Sequence, residues 1–112
     1  MIRWEYILLE MSQTRKRAEQ KIINLMPQLL SHLMSVEYFG KKDQNYNHWL
    51  KEIKVFKNSI LNANRKKQTS KTWFTKQFII EISEDYIDEA KILFLKKYKI
   101  EFVKPYESIL DF

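Results

Sequence analysis

The sequence predicts an all-α protein: a compact helical bundle of three long helices, the first kinked or split near Pro27, plus a short C-terminal helix. Two observations carry this reading. Gly40, Pro27 and Pro105 are the only glycine and prolines in 112 residues, whereas all-β folds need many tight turns whose positive φ falls to Gly or Asn. Apolar residues, 45% of the chain with seven Phe, six Tyr and three Trp, recur at intervals of three, four and seven, the spacing of an amphipathic helix face. Residues 1–112 read as a single all-helical domain, of a size that buries about two-thirds of its unfolded surface.

The first helix is expected from about Arg3 to Tyr38, with Trp4, Ile7, Leu8, Met11, Ala18, Ile22, Leu25, Leu29, Leu33 and Val36 along its apolar stripe. Pro27 interrupts it. An interior proline removes one backbone hydrogen bond and crowds the carbonyl four residues back, at a cost of roughly 3 kcal/mol, so a kink near Ile23 or two abutting helices is expected. Gly40 and the polar residues 41–45 stop the helix.

The second helix is expected from about Tyr46 to Ala63, buried along Trp49, Ile53, Phe56 and Ile60 and capped by Asn45 or Asn47. Residues 62–68 read as a frayed end and a loop. The third helix has the cleanest pattern: Phe74, Phe78, Ile82, Tyr86, Ala90, Phe94 and Tyr98 lie four apart, a row that winds slowly and can follow a neighbour. Ser70 or Thr72 is its expected N-cap. A short last helix is expected to start at Pro105, suited to a first helical position, and to return Tyr106, Ile109, Leu110 and Phe112 to the core.

Chemistry is mostly absent. There is no cysteine, which excludes disulfides, thiolate metal ligands and a cysteine nucleophile. His48 and Glu52 are the single histidine–carboxylate pair at helical spacing, short of a zinc set. His32, beside Leu29 and Leu33, reads as a polar residue at the core boundary whose imidazole needs a partner. Glu81, Glu84, Asp85, Asp88 and Glu89 lack the Glu-x-x-His motifs of carboxylate metal bundles and read as a solvated face. Phosphate-cradling glycine loops and the nucleophile elbow are both missing. No catalytic residue, metal or cofactor is therefore assigned. No apolar run approaches the roughly 18 residues of a membrane span. Residues 1–5 lack the basic and apolar regions of a signal peptide, so no membrane association and a cytoplasmic location are expected.

Charge is the one functional hint. The net charge of +6 is unevenly spread: residues 41–76 carry +8, residues 77–112 carry −3 and residues 1–40 carry +1. Lys51, Lys54, Lys57, Arg65, Lys66 and Lys67 are the candidate nucleic-acid contacts, since lysines and arginines neutralise phosphates with salt-sensitive affinity. Against this, Arg65 is the one arginine of the stretch, and the tryptophans read as core residues, not base-stacking platforms.

From Leu29 onward the order of landmarks resembles the domain-of-unknown-function 29 family, helical proteins of bacteria and cyanobacteria. Leu29-Leu30-Ser31-His32-Leu33-Met34 matches its Leu-Leu-x-His-Leu-Leu segment. Trp49, Ile53 and Ile60 match its second-helix positions, Tyr86 and Ala90 its Tyr-x-x-x-Ala, Pro105-Tyr106 its late Pro-aromatic, and Glu10 its early acidic helix. The chain departs from the pattern at Phe56-Lys57 for Gln-Arg, at Lys97-Tyr98-Lys99 for Glu-Thr-Gly and at Lys104 for Cys. The resemblance implies an all-helical fold and brings no activity with it. Two readings follow from the residues. The first is a non-catalytic helical interaction or structural module with a protein partner or a second copy, using an aromatic-rich helix face. The second is a protein that binds nucleic acid weakly through the basic 41–76 segment.

Overall fold

The computed structural model describes residues 3–67 and 69–103, with side chains from Thr14 onward. Among them four helices form: α1 (Arg3–Phe39), α2 (Tyr46–Asn64), α3 (Lys76–Asp85) and α4 (Ile87–Tyr98). α1 packs against all three others. At a rise of about 1.5 Å per residue, its 37 residues make the long axis of the molecule. The side chains of Trp4, Ile7, Leu8, Met11 and Glu10, and the helix expected from Pro105, lie outside the described residues.

Pro27 sits inside α1 and does not divide it. Its missing N–H leaves the Ile23 carbonyl without that helical partner, and the buried face on either side holds the helix together. That face is wider than the predicted stripe. Ile22, Met26, Leu29, Leu30 and Met34 are fully buried, while the expected Leu25, Leu33 and Val36 are only partly so. α2 and α4 both pack on α1, so a broad arc of α1 is covered. Each fully buried aliphatic side chain stabilises the fold by roughly 1.5–3 kcal/mol.

α1 ends at Gly40, whose φ of 77° is the left-handed cap that glycine takes without strain. Its N–H donates to the Val36 carbonyl at 3.0 Å. Asn45 occupies the N-cap position of α2 but makes no side-chain cap bond. Asp43 stands beside it instead, accepting the Asn45 N–H at 2.8 Å. Around this turn the rings of Phe39, Trp49, Phe94 and Tyr98 meet at centroid distances of 4.9 to 6.3 Å. They tie the end of α1 to the start of α2 and the end of α4.

The predicted third helix is two helices. Thr75, not Ser70 or Thr72, caps α3: its Oγ1 accepts the Phe78 N–H at 3.1 Å. α3 gives way to α4 at Tyr86, where φ is −108° and ψ is 8°. Buried Ser83 turns its hydroxyl back onto the Ile80 carbonyl, the kind of side-chain-to-backbone bond that bends helices. Hydrogen bonds still cross the break, from the Tyr86 N–H to the Ile82 carbonyl and from the Ala90 N–H to the Tyr86 carbonyl. Side-chain phase is therefore kept, and the row of aromatics continues across. Most of that row is spent on the core. Phe74 and Phe94 are buried, and Phe78, Tyr86 and Tyr98 pack against the core partly buried. Phe56, Phe78 and Tyr86 are only half covered: Phe56 lies at the edge of the α2 stripe, Phe78 in the first turn of α3 and Tyr86 at the bend.

Residues 62–67 are not a frayed end. Asn64 closes α2 buried, and its side chain takes both backbone groups of Phe74, accepting its N–H at 2.8 Å and donating to its carbonyl at 3.0 Å. The Asn64 carbonyl accepts the Trp73 N–H at 2.7 Å, Lys66 N–H donates to the Lys71 carbonyl at 2.8 Å, and Arg65 pairs with Thr72 in a single antiparallel bridge. The result is a short hairpin, stapled at its base by one amide. α4 is charged as its dipole favours, with Asp88 and Glu89 in its first turn and Lys96 and Lys97 in its last. It ends at Lys99 with φ 59°, a left-handed residue at the position where the family pattern has glycine.

Replacing Asn64 with Ala is expected to cost about 2–5 kcal/mol in urea unfolding, because two buried backbone groups lose their partners. Asn64→Asp should cost at least as much at neutral pH, because it sets a buried carboxylate oxygen against the Phe74 carbonyl. An Asn64→Ala midpoint equal to wild type would show that the amide does not hold the hairpin.

Candidate functional site

The hairpin leans on residues 14–21 of α1, where its side chains are first described. Thr14, Arg17 and Lys21 fall on one helix face by their spacing of three and four. Ala18 between them is 7% exposed and small enough to let the end of α2 approach. Opposite them the hairpin brings Arg65, Lys67 and Trp73. Together they wall a groove of about 400 Å³. No carboxylate lines it among the described residues. Arg17, Lys21, Arg65 and Lys67 are all exposed, and four like charges around one recess raise the local potential for anions.

Trp73 is held from two sides. Its N–H is bound by Asn64, and part of its indole packs against the core. The Lys66 ammonium lies over its ring, 5.1 Å from the centroid. One residue further on, the Arg15 guanidinium lies over the Phe74 ring at the same distance. Such cation–π contacts contribute about 0.5–1 kcal/mol at exposed sites. Their main effect here is to gather cations around the base of the hairpin.

A second cleft, about 360 Å³, lies between α1 and α4 and contains His32, Ser35 and Tyr98 with Lys96 and Lys97 at its rim. His32 is half-buried, its ring 5.2 Å from that of Phe56, and its Nδ1 is 2.7 Å from the Gln28 carbonyl. A carbonyl only accepts, so Nδ1 carries the proton and the neutral ring keeps its lone pair on Nε2. The same logic orders Ser35: its hydroxyl donates to the Ser31 carbonyl at 3.1 Å, and so accepts from Tyr98 Oη at 3.3 Å. Ser35 and Tyr98 thus pair with each other, and His32 is held by its own helix. Among the described residues no group of three or more histidines and carboxylates is placed to hold a metal ion.

The basic residues of the sequence separate in space. Arg65 and Lys67 reach the groove and Lys66 lies on Trp73. Lys51 and Lys54 are exposed on the outside of α2. At about 100° per residue, Lys54 and Lys57 lie on one side of the buried Trp49-Ile53-Ile60 stripe and Ala63, at the groove, on the other. His48 is exposed near the start of α2, and Glu81, Glu84, Asp85, Asp88 and Glu89 are all exposed on α3 and α4. Arg17 and Lys21 have no role in the sequence pattern, which puts Trp73 in the core with the other tryptophans, whereas Trp73 is half-buried and lines the groove. The run Arg15-Lys16-Arg17 was the available signal, hidden because Glu5, Glu10, Glu19 and Glu37 bring residues 1–40 to +1.

The family profile described as Domain of unknown function DUF29 matches residues 1–109, nearly the whole chain, and the protein belongs to that family. No curated protein and no solved structure matches it.

His32→Ala should lower stability by about 1–2 kcal/mol, the worth of one hydrogen bond and one ring contact. Metal content measured on the purified protein should be the same with and without the imidazole. A stoichiometric metal ion lost in the variant would instead make the α1–α4 cleft a metal site.

Proposed function

We propose that this DUF29 protein is a non-catalytic helical binding module whose ligand is a nucleic acid, held by its phosphates in the groove between α1 and the hairpin. The observation that carries the reading is the convergence of Arg17 and Lys21 with Arg65 and Lys67, from segments more than 40 residues apart, on one recess that no carboxylate lines among the described residues. Neutralising phosphates releases counterions, so affinity comes from charge count and falls with salt. Only two arginines take part, and no array of side chains is poised to read base edges, which makes the expected binding non-specific. A contact with a protein or a second copy has its own observation: Ile92 and Leu95, neighbours on the outer face of α4, are 52% and 44% exposed. That surface is smaller than the patches that mark stable interfaces, and it stands second.

Four phosphate contacts correspond to a log–log salt slope of about −3 for a single strand, a loss of roughly fiftyfold between 50 and 200 mM salt. Fluorescence anisotropy with labelled oligonucleotides reads this directly. Reversing Arg17, Lys21, Arg65 and Lys67 to Glu should abolish binding at 50 mM salt, while reversing Lys51 and Lys54 should weaken it only severalfold. No binding at low salt, or equal losses in the two variants, would remove the groove as the site.

A further inference from the structure

Resting on the nucleic-acid reading, we infer that the groove takes an unpaired strand and that one of its bases stacks on Trp73. Trp73, half-buried, lines the recess, and Lys66, whose ammonium lies over its ring, is not among the residues that line it. The backbone that carries the ring is set before any ligand arrives, by the Trp73 backbone N–H on the Asn64 carbonyl and by the neighbouring Phe74, clamped through both its backbone groups, and the side chain packs in part against the core. A platform fixed in advance costs a ligand little to use.

The shape of the site selects the strand. At about 400 Å³, the recess is at the lower end of ligand pockets, roughly 300–1,000 Å³, room for a base and its phosphate. A duplex keeps its bases stacked inside and offers only phosphates to such a concavity; a single strand can turn a base in. Arg17 and Lys21 on one wall and Arg65 and Lys67 on the other then lie to either side of the stacked base, where the backbone enters and leaves. A positively charged groove with an aromatic ring in its wall is the general arrangement for sequence-tolerant single-strand binding. The shared chemistry is that of DNA and RNA alike, and the ring does not distinguish them.

The test uses the full chain with four labelled 12-mers: oligo-dT, oligo-rU, an abasic strand with the same number of phosphates, and a 12-base-pair duplex. Oligo-dT or oligo-rU should bind about tenfold more tightly than the abasic strand and the duplex, the gain expected of one stacked base. Trp73→Ala should bring the base-bearing strand down to the abasic level and leave abasic binding unchanged, while Trp73→Phe should retain most of the difference. Tryptophan emission should be quenched on binding in wild type and not in Trp73→Phe, which keeps the other two indoles. Preference for oligo-rU over oligo-dT, or the reverse, would assign the strand to RNA or DNA within the same inference. Equal affinity for the base-bearing and abasic strands would overturn the stacking while leaving the phosphate groove intact. Tighter binding of the duplex, or an equal loss of all ligands in Trp73→Phe, would also overturn it. Absence of binding to all four at low salt would overturn both readings together.

Discussion

One side-chain amide organises the end of the molecule that carries the basic groove. Asn64 is the last residue of α2, and its two hydrogen bonds to the backbone of Phe74 close a ten-residue excursion of the chain. Both bonds are buried, where an unmet backbone group costs about 1–3 kcal/mol. The amide is suited to the task because it offers one donor and one acceptor side by side, as a strand neighbour would. Everything beyond it inherits that position: Phe74 enters the core, Thr75 begins α3, and Arg65, Lys67 and Trp73 face α1. The opposite end is organised differently, by rings alone. Phe39, Trp49, Phe94 and Tyr98 fill the space between three helices with little polar pairing.

The helices were legible because their signals are local. Glycine and proline scarcity, the stripe on α2 and the four-residue row from Phe74 to Tyr98 all reflect contacts that repeat along one element. Three features escaped for one reason, that they depend on pairs far apart in sequence or on a single hydroxyl. The bend at Tyr86 follows from Ser83, which periodicity treats as one polar position among others. The order of the hairpin follows from Asn64 reaching residue 74, whereas a polar string after a helix ordinarily signals a loop. The groove joins Arg17 to Arg65, and charge summed over segments blurred it. On α1 the stripe was found but centred too narrowly, since a helix with neighbours on two sides buries more than one row.

Family membership agrees with the architecture and separates two kinds of position in this chain. His32 and the leucines around it match the pattern and lie at the packed interface of α1 with α4 and α2. Lys99 departs from it. A left-handed residue costs an L-amino acid about 1–2 kcal/mol that glycine avoids, and Lys99 carries that cost at φ 59°. The lysine brings a charge near the C-terminal dipole of α4, which offsets a part of that cost.

The groove also has a bearing on the protein when nothing is bound. Arg17, Lys21, Arg65 and Lys67 repel one another across a small recess lined by no described carboxylate, and folding is what brings them together. Added electrolyte shortens the reach of that repulsion, to about 10 Å at 0.1 M. The native state is thus expected to gain stability with ionic strength at this end of the molecule, opposite to a fold held by surface ion pairs. Under the proposed function the same screening would loosen the hold on phosphates, so the conditions in which the hairpin sits most firmly on α1 would be those in which it grips a strand least.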